Sequence, residues 1–359
     1  MKNLNFISPM GVTGYGIAAH NILKELSNLY NITYFPIGQP HIDNPKDVAL
    51  VQKCINSQSD FDFDATCFKI WHQFDLGLRA GRGKFVAYPF FELDKFTDKE
   101  KHHLHHPDHI VVSSQWSKQI IVDNNIDKPI TVAPLGVDRN IFHESILNNI
   151  DRTNLPYIFI NIGKWEIRKG HEILIEMFNK AFDENDNVEL WLVTENPFLN
   201  KEQNMFWAQL VNNSKLSAKI RLFNRLDTHD ALAEVMSYAD CGVFPSRAEG
   251  WNLELLEMMS IGKPVITTYY SSHTEFCNDK NSYLIKPTET ELAFDGKWFD
   301  GEGSWAKIDQ SHKDQMIDYM KFMYTNRINT NPEGIKTAIE FSWKNTASLV
   351  SSAIESCGV

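Results

Sequence analysis

Cysteine is scarce and scattered in this sequence. The 359 residues contain five cysteines, and no two of them have the spacing of a metal site or a redox pair. This pattern favours reduced thiols in a cytoplasmic protein over a disulfide framework. The five are Cys54, Cys67, Cys241, Cys277 and Cys357.

Long apolar runs and an excess of positive charge are also missing. No window approaches 18 consecutive apolar residues, which argues against a transmembrane helix. Residues 1–7 lack the apolar core and cleavage site of a signal peptide and are predicted to open the first strand. The formal net charge of −11 argues against nucleic acid or an anionic membrane as a partner. A local basic patch would still allow peripheral membrane contact.

The chain has the composition of a globular protein and the length of two domains. Hydrophobic residues make up 43% and charged residues 23% of it. Short apolar runs alternate with helical patterns, as in α/β folds. No internal repeat or low-complexity segment is present.

The most informative stretch runs from residue 241 to residue 268. An apolar run at 241–244 predicts a buried strand, and Asn252 is a good N-cap for a helix over 253–259. This helix is apolar almost all round, which predicts burial. Gly262 and Pro264 end it before a strand over 265–268.

Glu249 and Glu257 flank the start of this helix, with seven residues between them. If every step were helical, they would lie about 12 Å apart along the axis. The first backbone N–H groups of the helix lie between them and favour an anion. The arrangement suits a nucleotide sugar, with amides for phosphate and a carboxylate for the hydroxyls at either end. Two glutamates beside a core helix are the structural alternative.

Residues 245–265 match the pattern P-S-x-x-E-G-x-x-L-x-x-L-E-x-M-x-x-G-x-P-V. This pattern resembles the E-x7-E signature of glycosyltransferase family 4. The resemblance implies a GT-B fold, with two Rossmann-like domains whose parallel sheets face a cleft. It also implies retaining, metal-independent transfer of a sugar from a nucleotide-diphosphate donor to an acceptor hydroxyl, with no cofactor.

The same resemblance assigns roles within this stretch. Glu249 would bind the sugar hydroxyls, and Glu257 the ribose hydroxyls. Gly250, Trp251, Asn252 and Leu253 would adjoin the donor. The family often has glycine at the position of Asn252.

A second match lies at residues 163–170, after a predicted strand over 157–163. The family has G-R-x-x-x-x-K-G there, with both cations on the donor diphosphate. This chain keeps Lys169 and has Lys164 in place of the arginine, which gives a point charge instead of a bidentate fork. Exposed lysines at a helix start are the alternative.

The N-terminal strand, a glycine-rich loop over 9–16 and a following helix form a typical opening of a nucleotide-binding fold. In the family this loop reaches the donor, so the resemblance makes Gly14 and Gly16 candidates near the phosphates. A plain turn between strand and helix is the alternative.

Two polar residues follow predicted strands of the first half. His72 ends a strand over 65–71, and Glu92 follows a strand over 84–88. Ligands gather at the carboxyl ends of parallel strands. Many family members have a histidine after the fourth strand, so either residue is a candidate for contact with the reacting groups. Polar strand ends bonded to backbone are the alternative.

The histidines in 102–109 invite a metal interpretation, but Pro107 breaks the helix that would align them, and no acidic or cysteine ligands accompany them. No metal site is therefore predicted, and the segment is interpreted as a solvated helix end. Residues 289–305 are interpreted as a surface loop or a small insertion with no assigned role. Residues 273–276 and 281–285 resemble the family's late strands.

The predicted domains are 1–150, completed by a helix over 341–359, and 151–340. A strand over 130–138 would close the first domain, and 143–155 would form a hinge. Acceptor specificity is expected in the loops 9–16, 38–47 and 89–100. The sequence leaves open the donor sugar and its base (uridine, guanosine or other), the linkage and the oligomeric state. It also leaves open whether the acceptor is a glycan, a lipid-linked sugar or another hydroxyl. A nucleotide-sugar epimerase, a phosphorylase and a non-catalytic sugar-nucleotide-binding module remain the alternatives.

Overall fold

The structure is a computed structural model that describes residues 1–42, 44–150 and 152–357. The chain divides into two compact units. One comprises Met1–Gly136 and Phe341–Val359, and the other comprises Val137–Glu340. The second unit thus begins at Val137, whereas the sequence prediction began it at residue 151.

The first unit is built on a six-stranded parallel sheet with the order β2-β1-β3-β4-β5-β6. Its elements are β1 (Lys2–Ser8), α1 (Gly14–Leu26), β2 (Tyr30–Pro36), α2 (Pro45–Asn56), β3 (Thr66–Lys69), β4 (Phe85–Ala87), α3 (Asp98–Leu104), β5 (His109–Val112), α4 (Gln115–Asp123) and β6 (Ile130–Val132).

The core of this unit lies around its central strands. Phe6 of β1 is fully buried, and its ring packs against Tyr34 at 5.9 Å and Phe68 at 5.4 Å. Phe68 is its register partner on β3. Strands that are buried on both faces need apolar residues on both, which explains the short continuous runs in the sequence.

Several predicted boundaries in this unit were wrong. Helix α1 begins at Gly14, inside the predicted loop 9–16, and α2 begins at Pro45, inside the predicted loop 38–47. Asn44 caps α2 by accepting a hydrogen bond from the N–H of Lys46, and proline is favoured at the first helical position. Asp43 of the predicted loop lies outside the described residues.

Three predicted strands of the first unit are shorter in the structure. β3 ends at Lys69 and β4 at Ala87, and β6 ends at Val132 instead of continuing to residue 138. Pro89 and Pro134 follow closely after two of these ends and cannot donate to a sheet. His72 and Glu92 therefore lie in loops beyond their strands.

The second unit is built on a six-stranded parallel sheet with the order β12-β11-β10-β7-β8-β9. Its elements are β7 (Tyr157–Ile162), α5 (His171–Ala181), β8 (Val188–Val193), α6 (Lys201–Asn212), β9 (Ile220–Phe223), α7 (His229–Tyr238), β10 (Cys241–Phe244), α8 (Leu253–Ser260), β11 (Val265–Thr268), β12 (Tyr283–Ile285), β13 (Thr290–Phe294), β14 (Asp300–Ala306), α9 (Gln310–Asn326) and α10 (Pro332–Glu340). The chain then returns to the first unit as α11 (Trp343–Cys357).

Helix α8 is buried along almost its whole length, as the sequence predicted. Every residue from Leu253 to Ser260 is buried except Glu254, which is half-buried. The helix packs on β10 and β11, where Gly242 leaves room for Met258. The expected burial of an all-apolar helix is confirmed.

The predicted surface loop over 289–305 is instead an antiparallel hairpin of β13 and β14. The Asp295 carboxylate accepts hydrogen bonds from the N–H groups of Lys297, Trp298 and Phe299, which closes the turn. Gly296 supplies the left-handed conformation at its tip, with φ 72°. The hairpin is anchored because Ala306 donates its N–H to the carbonyl of Arg247 at 3.0 Å.

A predicted strand in this part of the chain was wrong, and the predicted hinge stays a prediction. Residues Ser271–Glu275 form a 3-10 helix where a strand was predicted over 273–276. The predicted hinge over 143–155 contains a 3-10 helix over Glu144–Asn149. Asp151 of that hinge, and Gly358 and Val359 at the end of the predicted terminal helix, lie outside the described residues.

Within the described ranges, we find no helix with the length and apolar character needed to cross a membrane.

Candidate functional site

Two loops meet at the carboxyl edge of the second sheet. One follows β7 and spans 163–170, and the other follows β10 and spans 245–252. β7 and β10 are adjacent parallel strands, so their carboxyl ends lie side by side. Arg247 donates its N–H to the carbonyl of Arg168 at 2.7 Å, which joins the loops through their backbones.

Gly170 marks the closest approach of the two loops. It adopts φ 72°, and a Cβ atom at this position would lie 2.3 Å from the carbonyl oxygen of Pro245. Only glycine satisfies both the left-handed backbone and the contact. The glycine that follows Lys169 in the sequence pattern is therefore required by the backbone structure.

We expect Gly170→Ala to destabilise the second unit strongly, because a left-handed alanine costs about 1–2 kcal/mol and the clash adds about 1–3 kcal/mol. Gly296→Ala is the matched control, since Gly296 has the same φ of 72° and nothing within 4 Å of its Cβ position. Calorimetric melting should show a clearly larger decrease for Gly170→Ala. Equal decreases would contradict the assigned close approach.

Five charged side chains form a continuous row across the two loops, which we call the ionic row: Lys164, Glu166, Arg168, Glu249 and Lys169. Glu166 accepts from Lys164 Nζ at 2.9 Å through Oε1 and from Arg168 Nη2 at 2.7 Å through Oε2. Glu249 accepts from Arg168 Nη1 at 2.7 Å through Oε2 and from Lys169 Nζ at 3.0 Å through Oε1. The charges alternate, and a lysine stands at each end.

The ionic row is buried except at Lys164, whose side chain is 39% exposed. Burial by itself would raise the pKa of Glu249, but Arg168 and Lys169 hold it far below its usual range. The pKa of Glu166 is likewise lowered by Arg168 and Lys164 against the effect of burial. Burial lowers the pKa of Lys169, but Glu249 more than offsets this and the net shift is upward. The four buried members are therefore ionised at neutral pH.

Glu249 makes further contacts with protein groups. Ser246 Oγ donates to its Oε1 at 2.8 Å, and its own N–H donates to Ser271 Oγ at 2.8 Å. An ionised carboxylate offers about four acceptor positions, and protein groups occupy three of them. Glu249 therefore serves first as the residue that holds Lys169 in place.

Asn252 combines a left-handed backbone with a helix cap. It has φ 87°, and its Oδ1 accepts from the N–H of Leu255 at 3.2 Å. Asparagine tolerates this conformation better than other side chains, which explains how it stands where the family often has glycine. The predicted N-cap is confirmed.

His273 holds the side chain of Asn252 in place. Its Nδ1 lies 2.9 Å from the carbonyl oxygen of Thr268, and its Nε2 lies 3.0 Å from Asn252 Nδ2. These partners fix a neutral ring that donates from Nδ1 and accepts at Nε2. Burial lowers the pKa of His273, in agreement with the neutral form.

The remaining residues of this loop pack into the protein. The Trp251 ring lies 4.9 Å from the Phe276 ring, and Leu253 is buried. The carbonyl of Gly250 accepts from Ser272 Oγ at 2.9 Å. These contacts fix the conformation of the loop over 245–252.

Glu257 differs from Glu249 because its carboxyl has no partner among the residues that the structure describes. It is 5% exposed, and across residues 1–42, 44–150 and 152–357 no group forms a hydrogen bond or ion pair with its carboxyl. Burial, with a smaller contribution from Glu254, raises its pKa well above the usual value. A buried carboxyl without partners is costly, which is typical of a position reserved for a ligand.

The segment from Glu249 to Glu257 is not helical throughout, as the estimate of their spacing assumed. Helix α8 begins only at Leu253, so the helical rise from there to Glu257 covers about 6 Å of the 12 Å expected for a continuous helix. The turn over 249–252 bridges the rest.

The candidates of the first unit lie in a cluster around Tyr15. The His72 ring is 4.6 Å from the Tyr15 ring and is stacked on Phe74 at 4.8 Å. Tyr15 donates its hydroxyl to the carbonyl of Phe90 at 2.8 Å. Burial raises the pKa of Tyr15, and the Glu92 carboxylate adds to this. The structure thus places both His72 and Glu92 near Tyr15, a residue that the sequence analysis missed.

The two glycine candidates differ in environment. Gly14 is the first residue of α1, and a Cβ there would meet nothing within 4 Å. A Cβ on Gly16 would lie 2.3 Å from the backbone nitrogen of Gly11. Gly16 is therefore needed for packing within its own loop.

The histidine segment lies at the exposed end of α3. The Nε2 atoms of His102 and His106 lie 3.3 Å apart at the exposed end of α3. The part of the chain with a described structure contains no group of three or more side chains that could hold a metal ion.

With this geometry in place, comparison with known proteins is informative. Residues 156–295 match the family model described as Glycosyl transferases group 1. The matched range contains both loops, the whole ionic row and Glu257. It covers less than half of the chain.

An uncharacterized glycosyltransferase of Methanocaldococcus jannaschii is 27% identical over 186 residues, which cover 47% of this chain and 41% of the relative. The match therefore spans about two fifths of the length of that curated relative.

Solved structures resemble the whole chain. Sucrose-phosphate synthase from Thermosynechococcus elongatus has a TM-score of 0.70 at 14% identity, and the match covers 99% of both chains. HepE from Anabaena in complex with UDP-glucose has a TM-score of 0.72 at 14% identity and covers 99% of this chain and 100% of its own. Together with the two parallel six-stranded sheets, this likeness confirms the predicted GT-B fold.

Proposed function

We propose that this protein is a retaining, metal-independent glycosyltransferase that moves a sugar from a nucleotide-diphosphate donor to an acceptor hydroxyl. The observation that carries the proposal is the ionic row, which holds Lys169 ionised and buried beside the start of α8. The match of residues 156–295 to a glycosyltransferase family model supports the same function.

The second unit offers complementary groups for each part of the donor. Lys164 and Lys169 provide two cations for the diphosphate, and the N-terminus of α8 favours the same negative charge. The unpartnered carboxyl of Glu257 would accept or donate hydrogen bonds to the ribose hydroxyls. We propose that Glu249 uses its remaining acceptor position for a sugar hydroxyl. The UDP-glucose complex of HepE supports a nucleotide sugar as the donor.

The proposed reaction exchanges one bond for another at the anomeric carbon. The bond from this carbon to the diphosphate oxygen breaks, and a bond to the acceptor oxygen forms on the same face. The acceptor proton passes to the leaving diphosphate. Charge grows on the diphosphate as the bond breaks, so two fixed cations stabilise the transition state more than the ground state.

His72 and Glu92 remain the proposed acceptor-side candidates. Both lie in loops beyond the carboxyl ends of β3 and β4, which is where α/β sheets place ligands. The proposed acceptor is a glycan, a lipid-linked sugar or another hydroxyl compound.

The proposal is tested with a panel of UDP-sugars and GDP-sugars against glycan and lipid-linked acceptors. We expect release of the nucleoside diphosphate that depends on the acceptor, with the anomeric configuration of the donor retained in the product by NMR. Addition of EDTA should leave the rate unchanged. Tight donor binding without turnover, donor conversion without acceptor, or dependence on inorganic phosphate would contradict the proposal.

A further inference from the structure

We propose that Arg168 is a positioning residue that fixes the two lysines of the ionic row relative to each other. This inference rests on the proposed function. Arg168 bridges the two carboxylates to which the lysines bind. Neither end of the row can shift without disturbing this bridge.

The bridge uses the shape of the guanidinium group. Nη2 donates to Glu166 at 2.7 Å, and Nη1 donates to Glu249 at 2.7 Å and to the carbonyl of Ala248 at 2.6 Å. A planar group with separate nitrogens can serve two carboxylates at once, whereas a lysine ammonium is a single point charge. Arg168 is only 5% exposed, so these contacts exclude water.

The backbone of Arg168 is also fixed. Its carbonyl accepts the N–H of Arg247, and Gly170 locks the same loop against Pro245. The guanidinium therefore extends from an anchored point. Because Arg168 is anchored and binds both carboxylates, it fixes the positions of Glu166 and Glu249 relative to each other.

The charge balance agrees with a positioning role. The row contains three cations and two carboxylates, which leaves one net positive charge. Arg168 neutralises the inner carboxylate oxygens, so the lysine ammonium groups at both ends keep capacity for an anion. Without Arg168, both carboxylates would draw more strongly on their lysines.

The groups around Glu249 determine what happens when Arg168 is removed. They are Arg168 and Lys169 from the loop after β7, Ser246 from its own loop, and Ser271 and His273 from the 3-10 helix, with Glu254 of α8 acting on Lys169. Arg168 and Lys169 are the main cations that keep Glu249 ionised against burial. Loss of one of them should raise the pH at which Glu249 takes up a proton.

The test compares Arg168→Met and Arg168→Lys with Arg152→Met. Arg152 bridges the Asp240 carboxylate and the carbonyl of Tyr238 in the same unit, outside the two loops. It controls for the loss of a largely buried arginine bridge. The measurements are melting temperature, kcat/KM for the donor from pH 5 to pH 9, and calorimetric titration with UDP and with GDP.

We expect Arg168→Met to lower kcat/KM for the donor by about a hundredfold, the effect of a misplacement of about 1 Å in a catalytic site. The loss should be larger at pH 5 than at pH 8, because removal of the Arg168 charge raises the pKa of Glu249. Arg168→Lys keeps a cation beside Glu249 but loses the fork that reaches both carboxylates, so it should show a smaller change of pH profile and a smaller loss of kcat/KM. Arg152→Met should lower the melting temperature and leave the pH profile unchanged.

Three outcomes separate the hypotheses. If both Arg168 variants keep the wild-type pH profile and nucleotide affinity, or differ from wild type only as Arg152→Met does, the positioning role is wrong. If Arg168→Met does not fold, the pH profile of Arg168→Lys decides. If the wild-type protein neither binds UDP or GDP nor releases them from any donor, the proposed function fails, independently of Arg168.

Discussion

Replacing Lys169 with alanine is expected to lower sugar transfer by about a hundred- to a thousandfold, the range found when one preorganised donor to a developing charge is removed. The Lys169 ammonium lies 3.0 Å from Glu249 Oε1, and its side chain runs along Gly163, where a Cβ would lie 3.2 Å from the lysine Cδ and Cε. The charge is therefore held in one place before the donor arrives. The alanine variant loses both the charge and its fixed position.

The fold should survive this replacement. Glu249 keeps Arg168 and Ser246 as partners, so its carboxylate is not left without compensation. We therefore expect Lys169→Ala to melt cooperatively and to show the circular dichroism spectrum of the wild type. The loss should appear mainly in kcat, because the stabilised charge develops as the diphosphate leaves.

Two variants serve as controls for Lys169→Ala. Lys169→Arg retains the charge in another shape and should recover part of the activity. Lys180→Ala removes an exposed lysine that pairs with Glu176 at 2.7 Å on the surface of α5, and it should leave activity unchanged. Near-normal turnover of a folded Lys169→Ala protein would show that the proposed diphosphate site is wrong.

The sequence predicted the second unit better than the first, and the reason is local. Residues 241–268 carry their own boundaries: an apolar run, the Asn252 cap, an all-apolar helix and a glycine stop. Strand β10, helix α8 and strand β11 follow these signals closely. In the first unit the signals conflict, because Gly38 to Asp47 contains turn-forming residues while Asn44 and Pro45 also form a helix start. The predicted loop therefore conceals the beginning of α2.

The ionic row shows what local reasoning could not supply. Lys164 and Lys169 were predicted as donor ligands, whereas Glu166 and Arg168 between them were given no role. Their importance depends on Glu249, about 80 positions further along the chain, and only the pairing of β7 with β10 brings the loops together. The alternation of sign in Lys164-Trp165-Glu166-Ile167-Arg168 is the one signal that could have suggested a row.

The hairpin of β13 and β14 was missed for a related reason. Residues 289–305 are acidic and contain glycines, which favours a loop when read alone. Their pairing is fixed by tertiary contacts: Arg247 lies 5.7 Å from the Trp305 ring, and Glu291 accepts from Trp305 Nε1 at 3.1 Å. Arg247 itself belongs to the signature loop, so the hairpin packs on the site that the signature predicted.

Replacing Glu257 with methionine is expected to stabilise the ligand-free protein while weakening nucleoside-diphosphate binding. The Glu257 carboxyl is buried in an apolar helix without a described partner, and such a group costs about 1–3 kcal/mol. Methionine has a similar length and fills the same space with apolar atoms. Binding should weaken by up to about tenfold for each hydrogen bond lost, because a hydrogen bond to a neutral group contributes about 0.5–1.5 kcal/mol.

The stabilisation should depend on pH in a defined direction. Burial raises the pKa of Glu257 in the folded protein above its value in the unfolded chain. Below the unfolded value of about 4.3, the carboxyl is protonated in both states and carries no ionisation penalty. As the pH rises from there towards the folded pKa, only the unfolded chain gains from ionisation, so the wild-type protein loses stability. The advantage of Glu257→Met over wild type should therefore grow as the pH rises above the unfolded value.

Melting curves at pH 5 and pH 8, with and without UDP or GDP, measure both effects together. Glu257→Gln is the matched control: it keeps the size and the hydrogen-bonding groups but cannot ionise. It should lose the pH dependence while retaining more nucleotide affinity than the methionine variant. If Glu257→Met instead lowers the melting temperature at both pH values, the carboxyl has a structural partner and is not held for a ligand. A ligand that binds only the folded state raises the melting temperature. If UDP or GDP raises the melting temperature of the wild type but not that of Glu257→Met, the Glu257 carboxyl contributes to donor binding.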